Sequence, residues 1–159
     1  MFASASDDST GTLLGVFSGA VVSDAHYEQS LTDMERIDKL AAASGIALTY
    51  VCVVDSQVPR PPAVWRKRFS DANYGVKANR FYFVMVTNSM LIRGVYTAVN
   101  WVTQKRDGQH YGVVGSIDEA QRWLAAHGAR AADLGPLERQ VRRELGRIPG
   151  VARSGYPSR

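Results

Sequence analysis

The chain has a single cysteine, Cys52, so it closes no internal disulfide and cannot build a cysteine-rich zinc module. No apolar run reaches the ~18 residues of a membrane-spanning helix. The opening Met1-Phe2-Ala3-Ser4-Ala5-Ser6-Asp7-Asp8 lacks the basic start and apolar run of a secretory leader, and a cytoplasmic setting is expected. Signatures of phosphate cradles and activated nucleophiles are missing as well: there is no G-x-G-x-x-G, Walker A or G-x-S-x-G string. His26, His110 and His127 have no metal-ligand spacing, and Cys52 lies mid-strand between Val51 and Val53, away from the electropositive setting a reactive thiol needs. No catalytic residue, no metal and no cofactor is therefore assigned.

Excess charge is also missing from most of the chain. The total is 19 basic against 15 acidic residues, a formal charge of +4 over 159 residues. Residues 1–128 hold 12 of each sign, and the whole excess falls in residues 129–159, with seven Arg against Asp133, Glu138 and Glu144. A nucleic-acid-binding fold would spread its Lys and Arg over the domain, so nucleic acid is disfavoured as a partner.

What is present is an alternation of strand-like and helix-like segments. Residues 1–11, rich in Ser, Asp and Gly, read as a flexible N-terminus. Residues 12–22 read as a strand with a bend near Gly19. Ser23 or Asp24 then caps a helix whose face is Tyr27, Leu31, Met34, Ile37 and Ala41, and Gly45 ends it. Residues 46–54 and 81–87 are continuous apolar runs of the kind found in strands covered on both sides. Between them Pro62 opens a helix carrying Trp65, Phe69, Ala72 and Val76, with Arg66-Lys67-Arg68 on its solvated side. Asn88 or Ser89 caps a third helix with Ile92, Val95, Val99 and Val102 on one face. Tyr111–Val114 is a short fourth strand, and Ser116 and Glu119 form a capping box before Ala120, Trp123 and Leu124. The order βαβαβαβα predicts an α/β domain over 12–128, a small, open, mostly parallel sheet of about four strands with covering helices.

Residues 129–159 read as a basic tail. A short amphipathic helix is expected over 136–148, with Leu137, Val141, Leu145 and Ile148 on one stripe and Arg139, Arg143 and Arg147 on another, followed by an end expected to be disordered. The aliphatic stripe has no aromatic anchor, which favours docking on protein over membrane insertion. Deleting residues 129–159 is then expected to leave a folded, near-neutral domain.

Several strings resemble the SpoIIAA-like branch of the STAS domain family, also labelled STAS/SEC14-like. They are the Gly-containing first strand leading into a Ser/Asp-started helix, a strand ending in Asp55, a strand ending in Thr87-Asn88, Arg93-Gly94-Val95, and the closing Ser116-Ile117-Asp118-Glu119-Ala120-Gln121-Arg122-Trp123-Leu124. The likeness covers residues 12–127. It implies a non-enzymatic regulatory module that binds a protein partner. Outside the likeness, the basic stripe of the tail makes Arg139, Arg143 and Arg147 the partner-binding candidates, with a homodimer among the options. The SEC14 side of the family implies instead a small-molecule or lipid carrier. Where anti-sigma antagonists have D-S-[ST]-G-L, this chain has Asp55-Ser56-Gln57-Val58-Pro59, so no phosphorylated Ser is transferred.

Open parallel sheets bind ligands beyond the carboxyl ends of their strands. That places the ligand-binding candidates at Asp55, Ser56, Asn88, Ser89 and Arg93. The carrier role implied by the SEC14 likeness adds an apolar pocket opening near Asp55 and Asn88. A helix N-terminus at Asn88-Ser89 would favour an anion, and Arg93 would add charge.

Overall fold

The computed structural model describes residues 1–94 and 106–146. One five-stranded sheet runs in the order β1 (Phe2–Asp7), β2 (Thr12–Phe17), β3 (Leu48–Val54), β4 (Phe81–Val86), β5 (Gln109–Val114). β1 and β2 form an antiparallel hairpin with Phe2 opposite Phe17, and β2 through β5 are parallel. The mixed α/β class and the mostly parallel sheet agree with the alternation read from sequence.

Side-chain alternation puts an apolar layer on each face of the sheet. Leu48, Tyr50 and Cys52 of β3 with Phe81 and Phe83 of β4 face one layer; Val51, Val53, Tyr82, Val84 and Val86 face the other. Helices must cover both, which is why these strands carry no polar face. The first layer takes α1 (Asp24–Ser44) and α2 (Ala63–Tyr74). The second takes α3 (Ile117–Ala126) and α4 (Leu134–Leu145).

The helix α1 matches its sequence signals closely. Tyr27, Leu31, Met34, Ile37 and Ala41 are buried, Ser23 is the N-cap and Gly45 closes it in the left-handed conformation at φ 68°. His26 serves its own helix: its Nδ1 accepts the Ser23 amide at 3.0 Å. Asp38, also buried on α1, accepts bonds from the amides of Lys77 and Ala78 at 2.9–3.0 Å and so fastens the loop between α2 and β4 to the helix. The helix α2 ends at Tyr74, two residues before the buried Val76. Its Arg-Lys-Arg run is largely engaged: Lys67 pairs with Asp71, and Arg68 pairs with Glu28 while lying 4.3 Å over the Trp65 ring. The crossover after β4 starts with helical residues 90–94, capped by Ser89, whose Oγ accepts the Ile92 amide. Val95, Val99 and Val102 of the expected stripe lie outside the described residues.

Two expectations change. Residues 1–11 are not a loose terminus: Phe2–Asp7 is an ordered strand with Phe2, Ala3 and Ala5 buried, so the sheet has five strands. Nor is the tail an appendage. Leu134, Leu137, Val141 and Leu145 of α4 pack into the second layer over β1 and β2. The link before α4 is bonded back into the domain, with the Ala132 amide on Thr12 Oγ1 at 3.0 Å and the Leu134 amide on Gln121 Oε1 at 2.9 Å. The helix runs over 134–145 instead of 136–148, since Asp133 caps it by accepting the Gly135 amide. Ile148 lies outside the described residues. The small side chains of β1 and the leucine stripe of α4 explain each other: a helix crosses closely over Ala3 and Ala5.

Candidate functional site

The residues at the carboxyl ends of the strands are brought to one edge of the sheet but divide between different tasks. Asp55 follows β3, its amide bonded to Phe17 O at 3.1 Å, and its carboxylate takes Arg142 of α4 at 3.2 Å. It is thus a tie between the sheet edge and α4. Arg93 folds back so that its Nε donates to Thr87 O at 3.0 Å. The loops after β4 and β5 leave toward opposite faces, and Asn88, Arg93 and Glu119 converge over Gly115 between them. A Cβ added at Gly115 would lie 2.7 Å from Arg93 Nη2, 3.4 Å from Glu119 Oε2 and 3.6 Å from Asn88 Oδ1. Glu119 accepts the Gly115 amide at 2.7 Å, one residue further back than the capping box predicted, while Ser116 Oγ accepts the Glu119 amide as expected. A carboxylate beside Arg93 opposes an anion at this spot, so the expected anion site is not supported there.

Ser56 and Ser89 have another role. Both line a cavity of about 340 Å3 on the first face of the sheet. Its floor is Phe17, Tyr50, Cys52, Val54, Phe83, Met85 and Tyr111, the side chains that β2 to β5 turn toward that face. One wall is Phe69, Ser70 and Asn73 of α2, another is Leu91 and Ile92, and the β3–α2 loop contributes Val58, Pro59, Arg60 and Pro61. At about 30 Å3 per water the space equals about eleven waters, well beyond a packing defect and within the range of ligand pockets.

The sequence creates this space through α2. Trp65 anchors the start of the helix toward α1, its ring tilted against Tyr27 with centroids 5.3 Å apart and its Nε1 donating to Asp24 Oδ1 at 2.6 Å. The helix therefore leans on α1 more closely than on any strand. The prolines at 59, 61 and 62 hold the preceding loop extended, since each fixes φ and none donates an amide bond.

Burial raises the Cys52 thiol to about 12 and pushes the Tyr50 hydroxyl well up, and Tyr50 also shares a 2.7 Å bond with Ser30. Burial raises Tyr111 to about 12, and burial followed by the Asp24 charge raises Tyr27. All four are neutral at physiological pH.

The remaining candidates lie apart from the cavity. Arg139 and Arg143 are exposed on α4, Arg143 Nε donating to Arg139 O at 3.2 Å, and Arg147 lies outside the described residues. His110 stacks on Tyr82 at 4.9 Å and His127 on Trp123 at 3.9 Å. Among the described residues no three His, Cys, Asp or Glu side chains gather as a metal site, and no helix is long and apolar enough to cross a membrane. Comparison with protein-family models, with curated proteins and with solved structures yields no match.

Proposed function

We propose that the protein is a binding domain that holds a small, largely apolar molecule in the cavity between α2 and the sheet. The observation that carries this reading is an aromatic-walled space of about 340 Å3 at the carboxyl ends of parallel strands. Walls without a partner forgo dispersion contacts that a ligand would supply. Rings set edge to face, such as Tyr50 against Phe83 at 5.4 Å, present flat apolar surface to an occupant. Native mass spectrometry of freshly purified protein should show an adduct of small-molecule mass that leaves on activation. Cys52→Phe, which fills the floor, should lack it. Protein that carries no adduct, and takes up neither 1-decanol nor 2-naphthalenemethanol in calorimetry, would count against the reading.

A second reading is the regulatory role implied by the sequence likeness to STAS domains: binding of a protein partner. It is favoured by Arg139 and Arg143, which α4 leaves on its solvent side. Affinity capture should recover one partner at near-equal stoichiometry from wild type and lose it with Arg139→Glu/Arg143→Glu. Equal recovery by both proteins would remove this reading. No chemical step belongs to either.

A further inference from the structure

We propose that the molecule held in the cavity carries an oxyanion on its apolar body, received by Arg60 and Arg66 at the cavity's rim. This rests on the cavity being a ligand site. Among the described residues that line it, Arg60 and Arg66 are the only charged ones, and there is no Asp or Glu. The thiol and phenols of the floor are neutral, so the two guanidiniums set the sign of the site.

The acids close by in the fold are committed elsewhere. Asp24 accepts from Trp65, Glu28 pairs with Arg68, Asp71 with Lys67 and Asp55 with Arg142. Arg66 is half-buried and donates from Nη1 to Pro61 O at 2.8 Å, which fixes the side chain and leaves further N–H groups for a ligand. Arg60 is exposed in the proline loop and, among the described residues, has no hydrogen-bond or ion-pair partner. The hydroxyls of Ser56 and Ser89 stand on the same lining and add neutral donors. Guanidinium-to-oxyanion bonds are charge-assisted and roughly twice as strong as neutral ones. An apolar floor below a cationic rim suits a carboxylate or phosphate ester with one apolar chain or ring.

The test is calorimetric titration of the full chain with decanoate, decyl phosphate and 1-decanol below their micelle-forming concentrations. Wild type should bind at least one of the two anions about tenfold more tightly than 1-decanol, a difference of about 1.4 kcal/mol. Arg60→Gln/Arg66→Gln should bind all three alike, with the affinity for 1-decanol unchanged. The ranking of the two anions separates carboxylate from phosphate. Equal binding of 1-decanol and both anions by wild type overturns the inference and leaves the cavity reading standing. Binding of none overturns both. An anion preference that survives in the double variant overturns the assignment to these arginines. If the double variant melts far below wild type, Arg60→Gln alone, at an exposed position, should still weaken anion binding and spare 1-decanol. No change in that variant counts against the inference.

Discussion

Cutting the chain after Gly128 removes α4 and four side chains, Leu134, Leu137, Val141 and Leu145, none more than 9% exposed. Fully burying such a side chain is worth about 1.5–3 kcal/mol, so the four together contribute about 6–12 kcal/mol. A whole domain is stable by about 5–15 kcal/mol. The cut also uncovers Ala3, Ala5, Leu14 and Val16, buried in the same apolar layer, and removes the bonds that Thr12 and Gln121 make to the link. Chain 1–128 should therefore show no cooperative transition in urea, whereas the full chain should show one. Leu134→Ala should fall between them, costing about 2–5 kcal/mol. Urea unfolding followed by circular dichroism reads all three. A truncated chain whose unfolding free energy lies within about 1 kcal/mol of the full chain's would refute the reasoning, because error in such extrapolations is of that order. It would restore the view of residues 129–159 as a detachable basic arm.

Three further outcomes are expected. Asp38→Ala should cost about 2–3 kcal/mol in urea unfolding, because the amides of Lys77 and Ala78 lose a charged acceptor; Asp38→Asn should recover part of it. His110 is held below its ordinary pKa near 6.5, first by burial and then by the charges of His127 and Arg80. A histidine that binds protons less well when folded contributes stability above its unfolded pKa and loses it as pH falls from there through its lower folded pKa. Thermal stability should thus drop as pH falls below about 6.5. His110→Gln should flatten that slope without abolishing it, since His26 is lowered in the same sense by burial and the N-terminal ammonium. Cys52, with its thiol raised to about 12, should resist a thiol reagent at pH 8 in the native protein and react at once in urea; equal rates in the two states would contradict its burial.

Periodicity made the parallel part of the sheet legible. The apolar runs 46–54 and 81–87 and the stripe Tyr27–Ala41 are long and regular, and the cap residues Ser23 and Gly45 stand where the helix begins and ends. β1 was illegible because Phe-Ala-Ser-Ala-Ser-Asp has the composition of a loop. Its small residues are selected by the approach of α4, which lies about 130 residues away in sequence. Charge misdirected the reading of the tail: seven arginines marked it as separate, while the spacing of Leu134, Leu137, Val141 and Leu145 is what decides where the helix lies.

The candidate site was legible only in part. Ser56 and Ser89 line the cavity, but Asp55 is tied to Arg142 and Arg93 sits beside Glu119 over Gly115. Arg60 and Arg66 gave no signal beyond a basic run and a proline-rich loop. A cavity is a property of how α2 leans on α1, and no local pattern encodes it.

The return of α4 across β1 and β2 sets a timetable for folding. During synthesis β1 and β2 emerge before α4, and Ala3, Ala5, Leu14 and Val16 stay wet until residues 134–145 follow. The α1 side can collapse through contacts nearer in sequence, while the opposite side must wait for the contact between β1 and α4. Such non-local closure slows folding and leaves an apolar sheet face open meanwhile. Nascent chains stalled before residue 134 should then be the form that engages chaperones or aggregates, and release of α4 should be the event that makes the fold protease-resistant.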